Sequence, residues 1–248
     1  LVLPMRRDIV ITAKQLATLD HMSGGRLELG VGIGAYREEF EALQPGERAP
    51  RGRILEEGVR ALQNLFTEDR ATFDGEFFRY ADVELFPKPF QEKIPIYFGG
   101  NNVNHLRRTA TLGNGWLPAG LPLDRITADI VQLRQLCANA GRDFSEIAIA
   151  PQYIAVVDHN HDRAVARFAS SQMHKHLVSL TQSTLKEQAG VSMVEANLIG
   201  TPAEVVEKAL ALKAAGVTHL LGLYFAVNTV EELLDQMTLF AEEVVPLL

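Results

Sequence analysis

A single cysteine, Cys137, leaves this 248-residue chain without any internal disulfide and fits a reducing compartment. It falls in a helical pattern, where a packed thiol is the expectation. No apolar run approaches the roughly 18 residues of a membrane span, and no secretory signal is visible. A cytoplasmic protein that engages no membrane is therefore expected. Basic residues are too few to serve nucleic acid: 24 Lys and Arg stand against 31 Asp and Glu, a net charge of −7. Metal motifs are lacking too. His159 and His161 flank Asn160, and His174 and His176 flank Lys175, so neither pair has the i, i+4 spacing of two ligands on one helix face. No H-E-x-x-H, C-x-x-C, P-loop or G-x-S-x-G elbow occurs, and no metal is expected.

What is present is ordinary globular material, 47% hydrophobic, enough for one large domain over residues 1–248. Strand-like and helix-like patterns alternate. Leu1–Leu3 reads as the tail of a strand whose start lies upstream. Asp8–His21 has helical spacing stopped by Gly24-Gly25, with His21 as a partner for the helix dipole. Arg26–Val31 is a strand, followed by a polar loop through Pro45 and Pro50. Arg51–Phe66 is an amphipathic helix. Asp74-Gly75 between β-formers predicts a hairpin within 71–86. Then come a strand at Ile94–Phe98, a helix at Val103–Leu112, a strand at Gly115–Pro118 and a helix at Leu123–Ala140. Ile147–Val157 reads as one strand, and His161–Gly190 as a polar helical region. Thr201-Pro-Ala-Glu204 is a helix start, with Thr as N-cap, Pro first and Glu third. That helix runs to Gly216. A strand at Thr218–Tyr224 and a helix from Thr229 close the chain. Such alternation with short connections predicts a parallel α/β domain. Five whole strands and part of a sixth leave either an open sheet or a barrel with units upstream.

Glycines mark the candidate site. Gly30, Gly32 and Gly34 recur at every second position at a strand end, where a missing Cβ admits close approach. The spacing differs from the dinucleotide fingerprint G-x-G-x-x-G, and the residues after Gly34 show no clear helix start. Gly99-Gly100-Asn101-Asn102 joins a strand to a helix N-terminus. Backbone N–H groups and the dipole favour a phosphate there, with Asn101 or Asn102 serving alternatively as a simple N-cap. Trp116, the only tryptophan, stands in a short strand, where it walls a flat cofactor or fills the core. Glu38, Glu39 and Glu41 read as a solvated face.

Several stretches together resemble the bacterial luciferase-like oxidoreductase family, closest to its coenzyme F-420-dependent branch. They are Ala13 to Gly34, Arg37-Glu-Glu-Phe40, Asp74-Gly-Glu-Phe77, Ile96-Tyr-Phe-Gly-Gly100, Leu112-Gly-Asn-Gly-Trp-Leu-Pro118 and Ile199-Gly-Thr-Pro-Ala-Glu-Val205. The resemblance implies a (β/α)8 TIM-type barrel, here lacking its first two β/α units and part of the third strand. It places any catalytic residues upstream of Leu1. It implies cofactor contacts at Gly32, Ile33, Gly34, Gly99, Gly100, Asn101, Asn102 and Trp116. Members bind FMN or the deazaflavin F-420. Several FMN monooxygenases carry an Arg where this chain has Ile33, so the resemblance favours F-420 and hydride transfer to or from a small organic substrate. FMN with a partner reductase is the alternative, and a non-catalytic flavin-binding protein is another. Sugar-phosphate dehydrogenases carry a Glu at the position of Ala35, which counts against that substrate class. A homodimer is also implied, and His161–Gly190 is expected to cover the site and set specificity.

Overall fold

The computed structural model describes residues 1–6, 8–43, 50–182 and 190–248. It divides into two compact units, residues 1–115 and 116–248. The expected α/β pattern with parallel strands is present in both.

In the first unit, Val2 makes a parallel bridge to Gly32, as a strand tail would. Helix α1 (Ile9–Ser23) starts at Asp8, whose carboxylate accepts from Ile11 N, and ends at left-handed Gly24. His21 lies in its last turn and pairs through Nε2 with the Lys88 carbonyl, 2.8 Å away. Strand β1 (Leu29–Val31) is shorter than the expected Arg26–Val31. The segment after Gly34 holds a helix that the sequence did not announce: α2 (Arg37–Leu43) places Glu38 and Glu39 in its first turn and buries Phe40. The two carboxylates suit the positive helix end, and the single buried aromatic supplies the anchor. Pro45 lies outside the described residues. Helix α3 (Arg51–Thr67) buries Leu55, Val59, Leu62 and Leu65 completely. Each contributes about 2 kcal/mol relative to exposure.

Strands β2 (Ala71–Asp74) and β3 (Arg79–Val83) form the hairpin, closed by a four-residue loop in which Gly75 N donates to Phe78 O. The Glu57 carboxylate of α3 accepts from the amides of Glu76, Phe77 and Phe78 and fastens that loop. Strand β4 (Ile96–Gly99) pairs in parallel with β1, Leu29 opposite Ile96 and Val31 opposite Phe98. Helix α4 (Val103–Leu112) has the boundaries its sequence pattern suggested.

Strand β5 (Gly115–Leu117) leads into the second unit, where α5 (Leu123–Asn139) follows. Cys137 is buried on α5, and burial pushes its thiol pKa up, so the packed reading holds. The expected strand Ile147–Val157 is two strands, β6 (Ala148–Ile149) and β7 (Gln152–Val157). Pro151 has no N–H for a ladder and separates them. The polar region resolves into α6 (His161–Ser170) and α7 (Gln172–Thr181), with 183–189 outside the described residues. Strand β8 (Leu198–Gly200), helix α8 (Pro202–Ala215), strand β9 (Gly222–Phe225) and helix α9 (Val230–Glu243) complete it. The last strand starts four residues later than its pattern suggested. Strand β7 lies between β8 and β9, parallel to both. Past the end of β9, Gln236 of α9 bonds both the N–H and the carbonyl of Val157 at 2.8 Å, standing in for a strand. Lys208 donates to the carbonyls of Val194, Asn197 and Ile199, tying that segment to α8.

Candidate functional site

The β1–β4 register brings two glycine-rich strand ends to one edge of the first unit, since Gly32 and Gly99 follow the last paired residues, Val31 and Phe98. Gly32 has open space over its α-carbon: a Cβ there would meet nothing within 4 Å. A flat group can approach the backbone at that point. Ile33 turns away and packs against the core of the unit. Gly34 adopts φ +83°, and a Cβ on it would lie 2.9 Å from both Phe40 and Val2. Only glycine fits there.

A cation guards this strand end. Arg51, the first residue of α3, donates through Nη1 to the Gly34 carbonyl at 3.2 Å, and its guanidinium carbon lies 4.9 Å from the centre of the Phe40 ring. A guanidinium has five N–H donors, and this bond engages one of them. A second guanidinium lies close by. Arg108 of α4 pairs with Glu56 at 2.8 Å, is largely buried, and rests against Gly52 in the first turn of α3.

At the end of β4, Gly100 adopts φ +131° and Asn102 caps α4. The Asn102 side-chain oxygen accepts from Asn104 N at 3.0 Å, so the cap alternative holds for that oxygen. The first turn of α4 carries no acidic residue of its own, unlike a helix whose first-turn carboxylate meets the positive end of the dipole. The second glycine has a specific cause. A Cβ at position 100 would fall 2.5–2.7 Å from three ring atoms of His105. His105 is only 4% exposed. Burial first, and the Arg108 charge second, push its pKa down to about 4, so the ring is neutral at physiological pH. Its Nδ1 has no hydrogen-bond partner among the described residues.

Gly32, Ile33, Gly34, Gly99, Gly100, Asn101 and Asn102 thus share the first unit. Trp116 belongs to the second, where its side chain is fully buried and its carbonyl accepts from Ala150 N. That burial matches core filling. Glu38, Glu39 and Glu41 are exposed, as a solvated face requires. The other histidines near carboxylates pair pairwise, His159 with Glu243 at 3.5 Å and His161 with Glu204 at 3.1 Å. Among the described residues no three His, Cys, Asp or Glu converge as a metal site. No helix among them is long and apolar enough to cross a membrane.

Three residues of this site were not singled out from the sequence: Arg51, His105 and Arg108. His105 has a faint signal, since it shares a helical face with apolar Leu106 and Ala110. The contact of Arg108 with Glu56 spans 52 residues and has no local signature.

Glycine-rich strand ends, the Arg51 guanidinium and the start of α4 thus all lie in the first unit. Known proteins of similar sequence and structure show the family. Residues 1–219 match the model of the luciferase-like monooxygenases. An FMNH2-dependent dimethylsulfone monooxygenase of Pseudomonas putida is 32% identical over 245 residues, covering 89% of this chain and 67% of the relative. An uncharacterised protein of Mycobacterium tuberculosis is 34% identical over 144 residues, and the match covers half of its length. Among solved structures, monooxygenase RslO1 from Streptomyces bottropensis matches with a TM-score of 0.81 at 24% identity, over 99% of this chain and 76% of that one. An F420-dependent secondary alcohol dehydrogenase matches at 0.78 and 20%, over 97% and 75%. The chain belongs to the luciferase-like monooxygenase family, and its fold is the α/β TIM-type barrel fold of that family.

Proposed function

We propose that this chain works as a reduced-flavin-dependent monooxygenase, supplied by a separate reductase and acting on a small organosulfur compound of the dimethylsulfone kind. The observation that carries the reading is Arg51 at the Gly34 carbonyl. The lack of an arginine at position 33 favours a deazaflavin when the sequence stands alone. Arg51 supplies a guanidinium at the same strand end, which removes that objection to FMN. The identity to two dimethylsulfone monooxygenases, 32% and 28%, supports the substrate class.

The residues present fit such a group. Open space over Gly32 accepts a flat ring. Arg51 and the start of α4, with Gly99, Gly100, Asn101 and Asn102, receive a phosphate through charge and backbone N–H groups. The flavin supplies the redox chemistry when bound, and the chain holds and orients it. Ile33 favours a second reading, hydride transfer with F-420, because it leaves the end of β1 without a charge of its own.

The test titrates the chain with FMN, riboflavin and coenzyme F-420, followed by their own fluorescence. Oxygen uptake and loss of dimethylsulfone are then measured with an NADH-driven flavin reductase. We expect FMN to bind about tenfold or more tighter than riboflavin, as a charge-assisted phosphate contact implies, with sulfone consumed only when the reductase is present. Preference for F-420 moves the assignment to hydride transfer. Binding without turnover leaves a flavin-binding protein. Binding of none of the three overturns the reading.

A further inference from the structure

Arg108 has no part in the function as proposed so far. It stands sixth in α4, and its side chain is only 13% exposed. Its Nε donates to the Glu56 carboxylate of α3 at 2.8 Å. Its guanidinium also lies against Gly52, where a Cβ would collide with Nη2 and sit 3.3 Å from the guanidinium carbon. Positions 52 and 56 are one turn apart on one face of α3. A single planar group therefore grips the start of that helix at two points. Stability by itself favours none of this. Glycine is a weak helix former. A cation is disfavoured at a helix N-terminus, and Arg51 already stands there. Withdrawing a guanidinium from water costs solvation that one carboxylate returns only in part. What the arrangement does is fix the turn that carries Arg51. That residue immediately precedes Gly52 and makes its own contacts with the Gly34 carbonyl at 3.2 Å and the Phe40 ring at 4.9 Å. A long side chain keeps one geometry only where its backbone and neighbours hold it.

We propose that Arg108 is a positioning residue for Arg51: through Gly52 and Glu56 it holds the first turn of α3, and so sets the Arg51 guanidinium at the end of β1 for the phosphate. Position 52 is glycine so that the Arg108 guanidinium can lie there. The inference rests on the reading of Arg51 as the cation that meets the phosphate.

The test is a double-mutant cycle read as the preference for FMN over riboflavin, in wild type, Arg108→Met, Arg51→Gln and the double variant. Met keeps an unbranched side chain without the charge or the hydrogen bonds. Arg108→Met should lose about tenfold of the preference, the size of a hydrogen bond between charged groups, with riboflavin affinity unchanged. In the Arg51→Gln background the same substitution should cost nothing further, because the group it positions is gone. Unchanged preference in Arg108→Met overturns the proposal. So does an equal loss for both ligands, which marks a brace of the fold. A loss as large in Arg51→Gln as in wild type also overturns it, since Arg108 then acts independently of Arg51. Should Arg108→Met fail to fold, Gly52→Ala decides. Alanine is the better helix former, so the unfolding midpoint should hold or rise while the added methyl displaces the Arg108 guanidinium and the FMN preference falls severalfold. Unchanged preference there overturns the proposal too. A wild type that does not prefer FMN, or an Arg51→Gln variant that keeps the full preference, overturns the phosphate reading and this inference with it.

Discussion

Helices α4 and α8 begin in the same way and end up with opposite electrostatics. Each follows a short parallel strand that closes on a positive-φ glycine, Gly100 after β4 and Gly200 in β8. Each has a polar N-cap, Asn102 or Thr201. In α8 the chain then supplies its own anion. Glu204 accepts from Thr201 N at 2.7 Å and from its hydroxyl at 3.0 Å, closing a capping box, and His161 pairs with it. These bonds hold the Glu204 carboxyl pKa down to about 2, the Thr201 backbone amide first and the His161 contact second. In α4 no carboxylate enters the first turn, and the neighbouring first turn of α3 carries Arg51 with Arg108 resting on it. A helix start that satisfies itself is structural. One without a carboxylate of its own is the kind of start at which the proposed phosphate would be favoured.

The comparison breaks most violently at Gly100. Gly100→Ala puts a Cβ into the His105 ring and strains a positive φ, and should cost about 2–4 kcal/mol. Denaturant unfolding measures that cost, and FMN binding should disappear with it. The same stability would survive Arg51→Gln far better, while FMN affinity falls about tenfold to a hundredfold and riboflavin affinity does not. Equal losses for both ligands would reduce Arg51 to a brace for the Gly34 carbonyl.

Acid separates the two helix starts further. His105 has a folded-state pKa near 4, below its usual 6.5. Its contribution is present at neutral pH and declines as pH falls from about 6.5 to about 4, by up to about 3 kcal/mol in all. Glu204 has a folded-state pKa of about 2, below its usual 4.5. Its contribution is full above about 4.5 and is lost as pH falls from there toward 2. Unfolding free energies measured across both windows should therefore flatten between pH 6.5 and 4 in His105→Leu. In Glu204→Gln they should flatten below 4.5. The smallest effect expected is that of Glu204→Gln at pH 7, about 1 kcal/mol of stability from a weakened cap, with FMN affinity unchanged.

The α8 start was legible because a capping box is written within four residues, Thr201 to Glu204, and Gly216 closes the helix locally. The limits of α4 and the hairpin were legible for the same reason. Helix α2 was not, being seven residues long and anchored by the contact of Phe40 with the distant Arg51. Strand β8, three residues long, is too short to show a period. The glycines of the candidate site could be read as a place where a ligand meets backbone. What the sequence concealed was the reason for them, because His105 under Gly100 and Arg51 at Gly34 are tertiary contacts. The guanidinium at that strand end was hidden for the same reason, since it comes from position 51 and not from position 33.

The central claim is that α4 keeps its start free of negative charge so that an outside anion can occupy it. The most direct measurement is FMN and riboflavin affinity in Asn102→Asp, with the unfolding midpoint recorded beside them. Asp caps a helix as well as Asn, so the midpoint should hold. The carboxylate should lower FMN affinity about tenfold or more and leave riboflavin alone. FMN binding as tight as in wild type, with the cap intact, would contradict the claim.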